Sequence, residues 1–173
     1  MRWVGLVRNV MLGRGGIDRA GLITAAEAAG ATEVRSHLTT GNLTFDADER
    51  AIDEVVDDLE DRIAALIGRR EPVAVRGQGW LQQLTSVDRF AGYDAETLEL
   101  EVSFLRHDAP PIDPDRLGDP GRTALVEVLE RELLTARPRE GGRRPHANRL
   151  LEVACGQPAT ARGWATLVRL ATG

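Results

Sequence analysis

Residues 38–46 decide the fold, and they read Leu38-Thr39-Thr40-Gly41-Asn42-Leu43-Thr44-Phe45-Asp46. Apolar segments lie on both sides of a short polar turn that contains glycine, which is the pattern of a β-hairpin. The segment predicts a turn over residues 39–42 between a strand over residues 33–38 and a returning strand over residues 43–46. Within the turn, Asn42 is predicted to adopt the left-handed conformation, which asparagine tolerates better than most residues.

Elements on either side of this hairpin complete one sheet. Two predicted helices each begin after an aspartate that can cap the first turn, and each ends at a glycine. The resulting order is strand-helix-strand-strand-helix-strand, which is the split βαβ, or ferredoxin-like, arrangement of an antiparallel sheet with helices on one face. The other predicted elements are strands over residues 3–8 and 72–76, helices over residues 18–30 and 48–66, and a short helix over residues 80–84.

The second half of the chain holds a similar mix of elements. Residues 97–106 alternate between apolar and polar side chains and predict a half-exposed strand, whereas residues 108–121 contain four prolines and predict a surface loop. Residues 124–136 fit either a helix or a hairpin that turns near Glu130, and we prefer the hairpin. A helix over residues 146–154 and a last helix that begins near Pro158 and passes through Leu170 complete the prediction.

The predicted fold class is therefore α+β. Two ferredoxin-like subdomains, residues 1–90 and residues 96–173, are expected to pack as one compact unit. Both are expected to contain mostly antiparallel sheets with helices on one face.

Composition excludes several classes of function. The 173 residues carry a formal net charge of −5, and all 22 basic residues are arginine, so a lysine Schiff base and a phosphate-loop lysine are impossible. The acidic balance argues against nonspecific binding to nucleic acid. Cys155 is the one cysteine, so no intramolecular disulfide can form. No apolar run reaches the length of a signal peptide or a membrane span, which predicts a cytoplasmic protein with no membrane partner.

Three short motifs stand out along the chain: Val7-Arg8-Asn9-Val10-Met11-Leu12-Gly13, Thr40-Gly41-Asn42 and Thr160-Ala161-Arg162-Gly163-Trp164-Ala165-Thr166. They resemble the signatures of a bacterial family, the domain of unknown function numbered 1697. The resemblance extends over nearly the full length, implies an α+β fold of two similar subdomains, and implies no known activity. It also supports the hairpin over residues 124–136.

The chain departs from the family's pattern at positions where the family carries polar side chains. Met11 replaces a loop amide, and Gly163 and Ala165 replace two amides of the C-terminal motif. Arg149 stands where the family usually has lysine. If those groups form a site in the relatives, the resemblance implies that the site is partly dismantled or retuned here.

Seven residues are predicted to bind a small polar or anionic ligand in a groove between the subdomains. Arg8 ends an apolar strand, so its charge either reaches a pocket at the sheet edge or pairs with an acidic residue. On the last helix, Arg162 is expected to act first as a structural clamp bonded to carbonyls or a carboxylate, and Trp164 to pack between the subdomains. The seven residues are Arg8, Asn9, Thr40, Asn42, Arg149, Arg162 and Trp164.

Two other functions are compatible with the same sequence. A pathway-specific enzyme would need a proton-transfer group in the groove, for which His37 and Tyr93 are the candidates. Nucleic-acid binding would use the sheet face and the arginines of residues 137–149, but that stretch lacks interleaved aromatic residues for base stacking. The glycine-rich loop over residues 13–16 is a further, weak candidate for an anion. The scattered histidines lack metal-ligand spacing, so no metal and no cofactor are predicted.

Overall fold

The chain folds into two compact units, Met1–Leu81 and Gln82–Gly173. The structure is a computed structural model that describes residues 1–139 and 147–172. Each unit holds one four-stranded antiparallel sheet, which confirms the predicted α+β class.

In the first unit, the chain order of strands and helices is the predicted one. The elements are β1 (Arg2–Val7), α1 (Arg19–Ala28), β2 (Thr32–His37), β3 (Asn42–Asp46), α2 (Ile52–Ile67), β4 (Val73–Gly77) and α3 (Gln78–Thr85), the last of which runs across the division between the units. The sheet order is β2-β3-β1-β4, and every neighbouring pair is antiparallel. Helices α1 and α2 pack on one face of this sheet, where Leu43, Phe45 and Leu59 are fully buried.

The helix ends follow from local hydrogen bonding. Asp18 caps α1 as predicted, because its Oδ1 accepts a hydrogen bond from the backbone nitrogen of Gly21 at 2.7 Å. Asp48 caps a single 3-10 turn over Glu49–Ala51, and α2 begins only after it. Gly68 ends α2 in the left-handed conformation that glycine adopts without steric cost.

The predicted left-handed conformation of Asn42 is wrong. The positive φ angles of the hairpin belong to Leu38 (59°) and Gly41 (67°), and Asn42 is the first residue of β3. Asn42 is fully buried, and its Nδ2 donates hydrogen bonds to the carbonyl of His37 at 3.1 Å and to Thr40 Oγ1 at 3.0 Å. Its side chain therefore braces the turn, while the glycine beside it absorbs the unusual backbone angle.

The second unit repeats the same sheet with different connections. The elements are β5 (Leu98–Leu105), β6 (Ala124–Val128), β7 (Glu132–Pro138), α4 (Ala147–Cys155), β8 (Ala159–Gly163) and α5 (Trp164–Thr172). The sheet order is β6-β7-β5-β8, and the preferred hairpin over residues 124–136 is confirmed as β6 paired antiparallel with β7. The residue predicted to start α4, His146, lies outside the described residues.

The prediction of one helix from Pro158 through Leu170 is wrong. Residues Ala159–Gly163 form β8, and α5 begins at Trp164. β8 supplies the fourth strand by pairing with β5, so a tertiary contact overrides the helical spacing of the leucines that follow. Arg162 therefore lies on a strand and not on the last helix.

The two units match strand by strand, with one helix replaced by a loop. When β1, β2, β3 and β4 are matched in turn with β5, β6, β7 and β8, the strands have the same order in both sheets. Between β5 and β6, where the first unit has α1, the proline-rich segment forms only a 3-10 turn over Pro114–Arg116. Proline lacks the amide hydrogen that a helix interior needs. Ala109, Ile112 and Leu117 of this segment pack into the core instead.

Two equivalent side chains show that the match extends to single residues. Arg76 on β4 is the register partner of Val4, and Arg162 on β8 is the register partner of Val102, its counterpart on β5. Each arginine is followed by a glycine and then by a helix, and the Nη1 of each donates to the preceding carbonyl at 2.7 Å.

Candidate functional site

A cleft of about 320 Å³ opens in the second unit beside Trp164. It lies where the end of β8 and the start of α5 meet the beginning of β5. Most of its walls are small or apolar, and three charged side chains line it. The lining residues are Ala95, Glu99, Leu100, Glu101, Arg139, Gly163, Trp164 and Ala165.

Gly163 and Ala165 leave this cleft open. Gly163 is the register partner of Glu101, so a side chain at this position would project beside that carboxylate. A Cβ atom built on Gly163 would meet only the carbonyl oxygen of Leu100, at 4.0 Å. The position thus has room for a larger residue, and its glycine is not required by a neighbouring atom.

Charges of both signs border the cleft. Arg137 pairs with both carboxylates, through Nη2 to Glu99 and through Nε to Glu101 Oε2 at 3.1 Å. Arg139 donates from Nη2 to the carbonyl of Ala95 at 3.1 Å. The side chain of Glu101 is only 15% exposed, compared with 35% for Glu99. The cleft is therefore lined by two carboxylates that Arg137 pairs with and by the guanidinium of Arg139.

Trp164 is half-buried and fixed by a second aromatic ring. Its ring meets Phe90 edge to face, with centroids 5.2 Å apart and an interplanar angle of 65°. Phe90 is buried and also meets Tyr93 edge to face at 6.5 Å. These contacts hold the indole in place at the cleft wall.

Arg162 lies on the opposite face of the same sheet from α4. It is buried, and its Nη1 donates to Thr160 Oγ1 at 2.9 Å and to the carbonyl of Ala161 at 2.7 Å. Burial lowers the pKa of its guanidinium to about 10, so the group stays protonated at neutral pH. Bonding to a carbonyl is what the sequence predicted for this side chain.

Arg8 and Asn9 surround a buried carboxylate in the first unit. Glu71 is 4% exposed, and it accepts hydrogen bonds from Arg8 Nη1 at 3.3 Å, from Asn9 Nδ2 at 3.3 Å and from Arg69 Nε at 2.7 Å. Of the two alternatives for Arg8, pairing with an acidic residue is the one observed. The sequence analysis did not single out Glu71. A usable signal for a paired carboxylate was its position directly after Arg69 and Arg70 and before the proline that precedes β4.

The first two motifs meet at this corner. The backbone nitrogen of Val7 donates to the carbonyl of Gly41 at 2.8 Å, and that of Leu12 donates to the carbonyl of Thr39 at 2.7 Å. Thr40 is exposed on the same turn. In the glycine-rich loop that follows, the nitrogens of Gly13 and Arg14 donate to backbone carbonyls of the chain itself. Those two amides are therefore already used in holding the loop.

The basic stretch of residues 137–149 is only partly described. Arg143 and Arg144 lie outside the described residues. Arg137 is paired with carboxylates, and Arg139 is bonded to the carbonyl of Ala95. Arg149 is exposed on α4.

The structure divides the seven predicted residues between the two units. Arg8, Asn9, Thr40 and Asn42 gather at one corner of the first unit, whereas Arg149, Arg162 and Trp164 belong to the second. Of the seven, Trp164 lines the cleft. The sequence motif marks Gly163 and Ala165 only as departures, and Arg139 belongs to the basic stretch considered for nucleic acid. Glu99 and Glu101 carry no sequence signal for a site.

The described part of the chain offers two further observations. Within residues 1–139 and 147–172, no group of three histidine, cysteine or carboxylate side chains is placed to hold a metal ion. Over the same ranges, no helix combines the length and the apolar composition of a membrane span.

Comparisons with known proteins place this fold. The structure is similar to that of the conserved bacterial protein SP0830 from Streptococcus pneumoniae, with a TM-score of 0.67 and 15% sequence identity over 99% of this chain and 96% of that chain. At this identity the likeness shows the fold alone. No curated protein matches the chain. The model of the family described as "Protein of unknown function (DUF1697)" matches residues 1–133, which leaves the C-terminal motif outside the matched range. With more than half of its length matched, this chain belongs to the DUF1697 family.

Proposed function

We propose that this protein binds a small polar ligand in the cleft beside Trp164. The cleft itself is the observation that carries the proposal. Its volume of about 320 Å³ is at the lower end of the range that small-molecule sites occupy. A fixed aromatic wall and a few charged groups at the rim are also typical of such sites.

The lining residues favour a ligand that has a flat apolar part and carries both hydrogen-bond donors and hydrogen-bond acceptors. The indole of Trp164 offers a face or edge to a ring. Glu99 and Glu101 accept hydrogen bonds from an amino or amidino group, and Arg139 donates to a carboxylate or hydroxyl oxygen. A zwitterion or a neutral polar molecule suits this arrangement better than a simple anion does.

The departures from the C-terminal motif support the same site. Two positions at which the resemblance implies amide side chains are Gly163 and Ala165 here, and both line the cleft. Their loss of side-chain atoms enlarges the space between Trp164 and Glu101. This favours retuning for a different ligand over simple decay of the motif.

Binding, and not proton transfer, is the proposed activity. The candidates for proton transfer were His37 and Tyr93, and neither is among the residues that line the cleft. Among the described residues, the titratable side chains that line the cleft are Glu99, Glu101 and Arg139. Arg137 holds both carboxylates in ion pairs.

The test is fluorine NMR of protein labelled with 5-fluorotryptophan. The three tryptophans are assigned with Trp→Phe variants, and the protein is titrated with benzoate, benzylamine and phenylalanine, which share a ring and differ in charge. We expect the Trp164 resonance to move most with phenylalanine, while Trp3 and Trp80 stay in place.

A double variant with a matched control tests whether the cleft causes the change in the Trp164 resonance. Gly163→Asn with Ala165→Asn fills the cleft without a backbone clash, because the nearest atom to a Cβ at Gly163 is 4.0 Å away. Val168→Asn makes a similar change at an exposed position of the same helix. The double variant should abolish the response and Val168→Asn should keep it; no response in the parent protein, or an equal one in both variants, would refute the proposal.

A further inference from the structure

A second polar cluster lies in the first unit, on the sheet face opposite α1 and α2. Arg35 and His37 of β2 are the register partners of Thr44 and Asn42 of β3, so these side chains share that face. His37 Nε2 lies 2.8 Å from Thr44 Oγ1, and Arg2 Nη2 donates to the same oxygen at 3.0 Å. One hydroxyl thus joins an imidazole and a guanidinium.

Hydrogen bonds fix both the backbone and the ring of His37. The buried amide of Asn42 donates to the His37 carbonyl at 3.1 Å, which fixes the backbone at the end of β2. Because Arg2 donates to Thr44 Oγ1, the hydroxyl hydrogen of Thr44 is free to point at His37 Nε2. A neutral imidazole bonded in this way carries its own hydrogen on Nδ1, where it can serve as a donor.

Positive charge dominates around His37. Arg2 of β1 and Arg35 of β2 share the face of His37, and Asp46 of β3 pairs with Arg2 at 3.5 Å. Arg19 of α1, which donates to the carbonyls of Ser36 and Leu38, adds a third positive charge that acts on His37. Burial, together with these three arginines, lowers the pKa of His37 below its ordinary value of 6.5. The ring is therefore neutral at pH 7 in a field that repels a proton.

We propose that this cluster binds a small oxyanion, a carboxylate or phosphate group, between His37 and the guanidinium groups of Arg2 and Arg35. Arg35 is exposed and its planar guanidinium matches the geometry of an oxyanion. The guanidinium groups of Arg2 and Arg35 supply the attraction, and Asp46 offsets part of the charge of Arg2. The site belongs to the first unit and does not depend on the proposed ligand of the cleft.

Anion binding and protonation of His37 are linked. A bound anion offsets the repulsion from the arginines, so it favours the charged imidazole and raises the pKa of His37. By the same linkage, protonation of His37 strengthens anion binding as the pH falls through the His37 pKa.

The experiment measures the pKa of His37 by NMR of the histidine side chains, with His37→Gln as the assignment control. The protein is titrated in phosphate, in acetate and in chloride at equal ionic strength. We expect phosphate or acetate to raise the pKa of His37 by about half a unit relative to chloride. A response to phosphate alone restricts the ligand to phosphate groups, and a response to both phosphate and acetate supports oxyanions in general.

Two charge-removing variants test the residues. Arg35→Gln should abolish the difference between phosphate and chloride, whereas Arg62→Gln, which removes an exposed arginine from α2, should leave it unchanged. A His37 pKa that is the same in all three salts would overturn the proposal. So would a phosphate shift that survives Arg35→Gln undiminished.

Discussion

Arg162 is a buried arginine, with only 8% of the residue exposed to solvent. The lowered pKa, about 10, records the free energy that the charged form loses on burial. The bonds to Thr160 and Ala161 offset part of that loss. The effect of removing such a charge on stability depends on the residue that replaces it. A smaller residue leaves a cavity and acceptors without a hydrogen bond, whereas an apolar residue of similar length fills the space and no longer pays the cost of burying a charge.

Replacing Arg162 separates these contributions. We expect Arg162→Ala to lower the free energy of unfolding by about 2–4 kcal/mol, since it leaves a cavity and unpaired acceptors. Arg162→Met fills most of the space and removes the buried charge, so its loss should be clearly smaller. Denaturant unfolding of both variants makes the measurement. A melt of Arg162→Ala that overlays the parent protein would contradict a structural role and would favour a role in binding.

Gly41 shows a backbone requirement of a different kind. Its φ is 67°, and a Cβ atom added to it would lie only 3.0 Å from the Cβ of Val7, so both strain and contact oppose a side chain. Gly13 has a φ of 84° and open space around it. Gly41→Ala should therefore cost about 2–3 kcal/mol, and Gly13→Ala only about 1 kcal/mol. Equal losses in thermal unfolding would show that packing against Val7 adds nothing.

At single positions, sequence reasoning found the right residues more readily than their partners. It predicted that Arg8 would reach a pocket or a carboxylate, and the carboxylate proved to be Glu71, far along the chain. The sequence singles out Asn42 in the turn, but the left-handed conformation predicted for Asn42 is adopted by Gly41 and Leu38. Local sequence rules do not show which residue of a turn will have the positive φ. The charged lining of the cleft comes from β5 and from Arg139, the residue after β7, and only the sheet register brings those residues to Gly163.

Among the elements, those with strong local signals were predicted and β8 was not. Aspartate caps, glycine stops and the apolar stripe of α2 are visible within one segment. β8 is five residues long and exists because β5 lacks a neighbour on that side of the sheet. A usable signal was the recurrence of Arg-Gly followed by leucines four and seven residues later, at Gly77 and again at Gly163.

Equivalent glutamates tie a helix to the last strand in each unit. Glu60 of α2 accepts from the backbone nitrogen of Val73 at 2.9 Å and pairs with Arg70 at 3.1 Å, while Glu152 of α4 accepts from Ala159 at 3.3 Å. Both nitrogens belong to the first residue of the strand. A carboxylate thus satisfies a strand amide at the same place in each sheet.

The two glutamates should differ in their contribution to stability. Glu60 is 3% exposed, so Glu60→Ala should cost about 2–3 kcal/mol by leaving a buried amide and Arg70 without this partner. Glu60→Gln keeps an acceptor for Val73 and should cost less. Glu152 is less buried and its bond is longer, so Glu152→Ala should cost about 1 kcal/mol. Chemical denaturation checks the order, and a larger loss at Glu152 would contradict it.

The whole molecule is acidic, with a formal net charge of −5, and several of its arginines are paired with its own carboxylates. Nucleic acid is bound mainly by unpaired basic groups that displace counterions. We therefore expect weak and salt-sensitive binding of single-stranded oligonucleotides, measured by fluorescence anisotropy at physiological salt. Submicromolar affinity under those conditions would reverse this expectation.

The cleft beside Trp164 is proposed as a ligand site that Gly163 and Ala165 keep open. The most direct measurement is a crystal structure of the protein soaked with benzylamine, benzoate and phenylalanine. We predict electron density for phenylalanine in the cleft, with its ring against Trp164 and its amino group toward Glu99 or Glu101. A structure in which the side chains of Glu99, Glu101 and Arg139 close over Gly163, or in which the probes bind elsewhere and leave the cleft empty, would contradict the account.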